Sequence, residues 1–232
     1  MSRKRIIVSW SSGKDSAWML HVLRQSNEYE IAGLLTSFNE HADRVAMHGV
    51  RRELVEAQAR AIGVPLISVG LPWPCSNQEY QSRMQRVIAQ FHEDGIEHIA
   101  FGDLFLEEIR DYRIQQLANT GVTPLFPIWC GKSGTTDLAR SMLEVELRAV
   151  LTCVDSRVLS PDFTGRQFDA QLLADLPTTI DPCGENGEFH TFCYGGPAKT
   201  WHVNTQSGAT HECEGFVFCD LMIDQYSSSA VL

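Results

Sequence analysis

Along the first 130 residues, short apolar runs alternate with stretches of helical period. Residues 5–10 read as a strand that ends in a Ser/Gly loop. From residue 15 to 25, Trp18, Met19, Val22 and Leu23 recur on one helical face. Residues 31–37 predict a second strand, 49–62 a helix, and 65–69 a third strand after the stop signal Gly63. Residues 78–93 are helical in period, 96–101 strand-like, 104–119 helical and 122–127 strand-like again. Strands that alternate with helices in this way predict a doubly wound α/β unit built on a five-stranded parallel sheet.

After Trp129 the pattern changes. Residues 136–146 read as a helix, 149–154 as a strand and 167–174 as a short helix, followed by a long stretch punctuated by Gly and Pro. Residues 201–224 predict two short strands around a turn at Ser207-Gly208, and the tail from Tyr226 is expected to fray. The expected organisation is therefore a doubly wound α/β domain at 1–130 and a smaller C-terminal α+β domain at 131–232.

Composition narrows the class. With 232 residues, 44% hydrophobic and 21% charged, the chain has the balance of an ordinary globular protein. No apolar run approaches the ~18 residues of a membrane span, and the start Met1-Ser2-Arg3-Lys4-Arg5 leads into a run too short for a signal-peptide core, so a cytoplasmic location is expected. Seven scattered cysteines without a CxxC pair read as reduced thiols. Residues 1–150 carry 16 Lys/Arg against 18 Asp/Glu, whereas 151–232 carry 3 against 11. That acidity argues against a broad nucleic-acid footprint, which would want a basic face.

The sharpest chemical signal is Val8-Ser9-Trp10-Ser11-Ser12-Gly13-Lys14-Asp15-Ser16, a strand that opens through small residues directly into a helix. Ser9, Ser11, Ser12 and Gly13 let the backbone pass close to an oxyanion, and the amides at the helix start point toward it. Lys14 adds a mobile positive charge, while Asp15 and Ser16 stand where a helix cap or a magnesium contact is needed. The Walker spacing GxxxxGK(S/T) fails here and again at Gly131-Lys132-Ser133. At the second strand end stand Thr36, Ser37 and Phe38, followed by Met47-His48-Gly49; at the fourth stand Gly102 and Asp103. A plain helix cap or core role competes with function at Asp103, His48 and Phe38.

SSGKDS resembles the SGGxDS signature of the PP-loop, or adenine nucleotide α-hydrolase, superfamily, with Ser12 where most members have Gly. The resemblance implies ATP cleaved to AMP and pyrophosphate with Mg2+, an adenine near Thr36 to Phe38 and His48, and metal or ribose contacts from Asp15 and Asp103. A second string, Pro182-Cys183-Gly184-Glu185-Asn186-Gly187-Glu188-Phe189-His190-Thr191-Phe192, is by composition a Gly-rich acidic turn. It resembles the GExGE(F/Y)xT motif of the diphthine–ammonia ligase family, as do Gly102-Asp103 with Arg110 and Arg113, residues 124–129, and Gly195-Gly196-Pro197. His190 stands where that family usually has an acid, which leaves room for a different acceptor.

What the resemblance implies is an AMP-forming amide ligase: ATP activates a carboxylate as an acyl-adenylate and ammonia displaces AMP. Lys14, Asp15, Glu185 and Glu188 would be catalytic. Gly184, Glu185, Gly187, Glu188 and Thr191 would face the substrate, a protein side chain or small acid. A homodimer is compatible with such an enzyme. Two other classes compete: a PP-loop enzyme that adenylates RNA, which would want a cysteine pair or a basic face, and a non-catalytic nucleotide-binding module.

Overall fold

The structure, a computed structural model, describes residues 3–45 and 48–224. Met47 and the tail from Tyr226 lie outside the described residues. The first unit runs β1 (Lys4–Ser9), α1 (Lys14–Ser26), β2 (Tyr29–Asn39), β3 (Arg44–Val45), α2 (Arg52–Ile62), β4 (Leu66–Leu71), α3 (Asn77–Glu93), β5 (His98–Ala100), α4 (Glu107–Leu117) and β6 (Thr123–Leu125). Ser76 starts α3 by accepting from the Glu79 amide, half of a capping box, and Gly63 ends α2 at φ 74°.

Five strands are parallel. β1 pairs with β2 on one side and β5 on the other, β5 pairs with β6, and β4 lies on the far edge of β2. The two-residue β3 adds an antiparallel extension beside the end of β2. The winding direction therefore reverses between β1 and β5, which opens a crevice at their C-terminal ends. Both faces of the sheet are covered, as period 2 along β1 requires. Ile6 and Val8 belong to one apolar cluster with Met19, Leu20 and Leu54, and Ile7 to another with Ile88, Phe91 and Leu117.

The second unit runs α5 (Thr135–Glu144), β7 (Arg148–Asp155), α6 (Ala170–Asp175), β8 (Phe189–Gly195), β9 (Thr205–Cys213) and β10 (Phe216–Ile223). Its four strands form an antiparallel sheet in the order β8-β7-β10-β9. Two expectations are corrected here. The hairpin turns at Glu214-Gly215, not at Ser207-Gly208, which lies inside β9. Residues 189–195, expected as part of a loop, form a strand. Asp220 of β10 ties this sheet to the first unit through Arg51 (2.5 and 3.0 Å) and Arg44 (2.9 Å). Among the described residues no helix is long and apolar enough to cross a membrane.

Candidate active site

β1 delivers the chain to the crevice, where the Trp10 amide still bonds the Leu35 carbonyl at 2.7 Å. Ser12 then adopts φ 71°, a left-handed angle that costs a non-glycine residue about 1–2 kcal/mol. Gly13 returns to extended backbone and precedes α1 without capping it through a side chain. The cap comes from the other unit: Thr191 Oγ1 accepts from the Lys14 amide at 3.1 Å. The Ser12 carbonyl is held by the Cys193 amide (2.9 Å) and by Gln58 Nε2 (3.0 Å), and Trp10 Nε1 orients Gln58 at 2.9 Å. β8 thus fixes the loop from one side and α2 from the other.

Lys14 is only 1% exposed. Its Nζ donates to both Asp15 oxygens (3.0 and 2.9 Å) and to the Cys183 carbonyl, with the rings of Phe168 and Phe189 about it. Burial is the largest single influence and opposes the charge, but Asp15, Cys183 and Glu185 together outweigh it and hold the ammonium pKa above its ordinary value. The expectation of a mobile, partly exposed lysine is therefore corrected: Lys14 is a fixed charge, because chain more than 150 residues away closes over it.

The facing wall is the turn before β8. The Asp181 carboxylate accepts from the amides of Cys183 (2.9 Å) and Glu185 (3.3 Å). Glu188 accepts from the amides of Asp181 (3.1 Å) and Asn186 (3.0 Å) and from Asn186 Nδ2 (2.8 Å). Gly184 at φ 70° fits only without a β-carbon, which would stand 2.8 Å from the Phe189 carbonyl oxygen. Glu188 therefore builds the turn, and Glu185 reaches out of it to accept the Leu104 amide at 2.7 Å. Burial pushes the Glu185 carboxyl up to about 7 despite that bond, with Asp15 and Asp103 adding to the effect. Asp103 is gripped by the Arg113 guanidinium at 2.6 and 3.1 Å; the residue that precedes α4 is Leu106, so Asp103 is not its cap.

These walls enclose a cavity of about 270 Å³. Ser9, Ser11, Lys14, Asp15, Ser16, His48, Gly102 and Asp103 line it from the first unit, and Gly184, Glu185 and Thr191 from the second. Ser12, Gly13, Thr36, Ser37, Phe38, Gly187 and Glu188 are not among its lining residues. Thr36 is buried with its hydroxyl on the Trp10 carbonyl (2.7 Å), and Phe38 is buried beneath the Arg52 guanidinium at 3.9 Å. Four lining residues carried no site expectation: Arg113, Cys183, Phe189 and His190. For Arg113 the signal was available, a basic residue in the helix that follows an acid at a strand end. For Gln58, which braces the loop, the signal was an amide on the apolar face of Leu54, Val55, Ala59 and Ile62.

The donor chemistry suits a polyphosphate with a hard cation. Magnesium needs only one or two carboxylates beside phosphate oxygens, and Asp15 and Asp103 offer these. Among the described residues no cluster of three or more His, Cys, Asp or Glu is arranged to hold a metal by itself.

Residues 4–123 match the family model of the diphthamide synthase N-terminal domain, and residues 134–223 that of the diphthamide synthase C-terminal domain. The chain belongs to the diphthamide synthase family. No curated protein matches it. Among solved structures, the U34-tRNA thiolase NcsA from Methanococcus maripaludis with its 4Fe-4S cluster is 13% identical over 63% of this chain, with a TM-score of 0.40. The match spans 59% of the thiolase, and a likeness at that level says nothing of the cluster or of thiolation in a diphthamide synthase family member.

Proposed function

We propose that the chain activates a carboxylate with ATP as an acyl-adenylate and passes the acyl group to ammonia. The observation that carries this reading is the contact of Lys14 with both Asp15 and the Cys183 carbonyl, which joins the phosphate-type loop and the acidic turn in one cavity. In the first step a substrate carboxylate oxygen attacks the α-phosphorus and the bond to the α–β bridging oxygen breaks. The α1 start and Lys14 stand ready for the charge that gathers on pyrophosphate, and a preorganised charge needs no rearrangement as the reaction proceeds. Magnesium held through Asp15 and Asp103 would neutralise phosphate charge.

In the second step ammonia attacks the acyl carbon, the carbon–oxygen bond to AMP breaks, and the nitrogen sheds a proton. Glu185, with its carboxyl near 7, is the group tuned to take that proton near neutrality. Glu188 acts only through the turn that presents Glu185, so it is a positioning residue in this scheme. Thiolation chemistry is disfavoured, because burial pushes the thiols of Cys183 and Cys193 well above the usual range and that of Cys153 up to about 12.

The test is product analysis. ATP labelled on the γ phosphate, incubated with the chain, ammonium and a pool of candidate carboxylates, should release labelled pyrophosphate with AMP. Labelled orthophosphate with ADP would refute α–β cleavage, and AMP formation without any ammonium dependence would refute amidation.

A further inference from the structure

Beside the loop lie two histidines that no step above uses. His190 on β8 and His48 before α2 pack against each other as a tilted pair, with ring centroids 4.5 Å apart and planes at 36°. Both line the cavity. His48 lies against the loop: its Cε1 stands 3.4 Å from where a β-carbon on Gly13 would sit, and its Nδ1 is 3.4 Å from the Thr191 carbonyl oxygen. Nε2 of His190 is buried and has no hydrogen-bond partner among the described residues. Buried polar atoms are almost always paired, so an orphaned nitrogen on a cavity wall marks a place for a ligand atom.

We propose that the packed pair of His190 and His48 is a ligand for a terminal phosphate oxygen of the nucleotide, which His190 grips through Nε2–H as an imidazolium formed when the polyanion binds. This rests on the reading above that the α1 start holds the pyrophosphate. The proton comes from solvent, and no covalent bond changes.

The charged and titratable groups around the cavity are Lys14 and Asp15 of α1, Asp103 and Arg113 on the β5–α4 side, and Cys183 and Glu185 of the facing turn. Burial, then Lys14, pulls the His190 imidazole down to about 4; burial, then His190 and Lys14, pulls His48 down to about 3. Both rings are thus neutral near pH 7 when the cavity holds no anion. Each unit of negative charge about 4 Å away raises an imidazole pKa by about three at an effective dielectric of about 20. One phosphate charge is then enough to carry His190 to about 7, and a second takes it beyond. His48 stays neutral, because two cations in contact oppose each other, and it serves as the ring against which the imidazolium rests.

The experiment uses the full chain, inorganic pyrophosphate and two readouts. Histidine ¹⁵N spectra at pH 7 should show His190 neutral in the free protein and doubly protonated in the complex. Across pH 6 to 8.5 the calorimetric affinity should fall by a factor about tenfold or more greater for the wild type than for His190→Gln, which keeps a neutral donor. Comparing the two proteins at each pH cancels the ionisation of pyrophosphate itself. A complex in which His190 stays neutral, or a His190→Gln variant that tracks the wild type at every pH, overturns the proposal and leaves the loop reading intact. Absence of binding, or binding that leaves the amide shifts of Ser11 to Ser16 unmoved, overturns both.

Discussion

Replacing Ser12 by glycine should make the protein more stable. The side chain stands at φ 71° with its hydroxyl buried and without a partner. Relieving the left-handed angle returns about 1–2 kcal/mol. Removing a buried hydroxyl that bonds nothing returns about 1–3 kcal/mol more. Against this, glycine adds about 0.5–1 kcal/mol of chain entropy to the unfolded state, and the lost side-chain burial costs about 0.8 kcal/mol. The central balance is a gain of about 2 kcal/mol, which in a chain of this length raises the melting temperature by about 4–8 °C. Scanning calorimetry of wild type and Ser12→Gly reads this directly, and urea midpoints at unchanged slope check that the change is one of stability and not of compactness. Because Ser12 does not line the cavity, pyrophosphate affinity should be the same in both proteins. An equal or lower melting temperature would refute the strain argument; a gain in stability with a loss of affinity would mean that the hydroxyl serves the ligand after all.

The other expectations concern charges. Lys14→Met leaves Asp15 and the Cys183 carbonyl facing a buried gap, so it should cost about 3–5 kcal/mol and lower the melting temperature by about 6–20 °C; adding Asp15→Asn should restore part of the loss in the same calorimeter. Glu185 has its carboxyl raised from 4.5 to about 7, so ionising it costs the folded state, and stability should fall as pH rises from 4.5 through 7. Unfolding midpoints of Glu185→Gln should lack that fall, and the variant's amide-forming rate should lack the rise across pH 7 that a base gives. Asp220 is held down to about 2 by Arg51 and Arg44, so its contribution is whole above 3.8 and lost as pH falls toward 2. Asp220→Asn should lower the unfolding free energy at pH 7 by about 1–2 kcal/mol, discounted for partial exposure, and leave it unchanged near pH 2.

The five parallel strands were legible in the sequence because each is an apolar run fenced by turn residues, and the helices because their apolar positions repeat every three or four. The order of the strands was not, since it is decided by which faces pack rather than by any local pattern. The hairpin turn illustrates the limit well. A two-residue turn of this kind needs positive φ at both positions, and Glu214 (52°) and Gly215 (80°) supply it. Glu-Gly is a poorer turn signal than Ser207-Gly208, yet pairing of β9 with β10 across the whole sheet overrides that local preference.

The site divides in the same way. Ser11, Lys14, Asp15, Ser16, Asp103 and Glu185 do line the cavity; the loop residues stand in a string whose local geometry follows from its residues, while Glu185 was singled out only by the resemblance. Which of Glu185 and Glu188 faces the cavity could not be read this way, because it depends on the hydrogen bonds that bend Glu188 back onto residues 181 and 186. Nor could the fate of Lys14, whose surroundings are Phe168, Cys183 and Phe189. The loop that looks self-sufficient in the sequence takes its helix cap from Thr191, the brace on its Ser12 carbonyl from Cys193, and the third partner of its lysine from Cys183. Three of the hydrogen bonds that shape the loop are thus supplied by the chain that forms the opposite wall. Any shift of residues 183–193 must therefore move the atoms that hold the loop, so the loop and the facing turn cannot be repositioned independently.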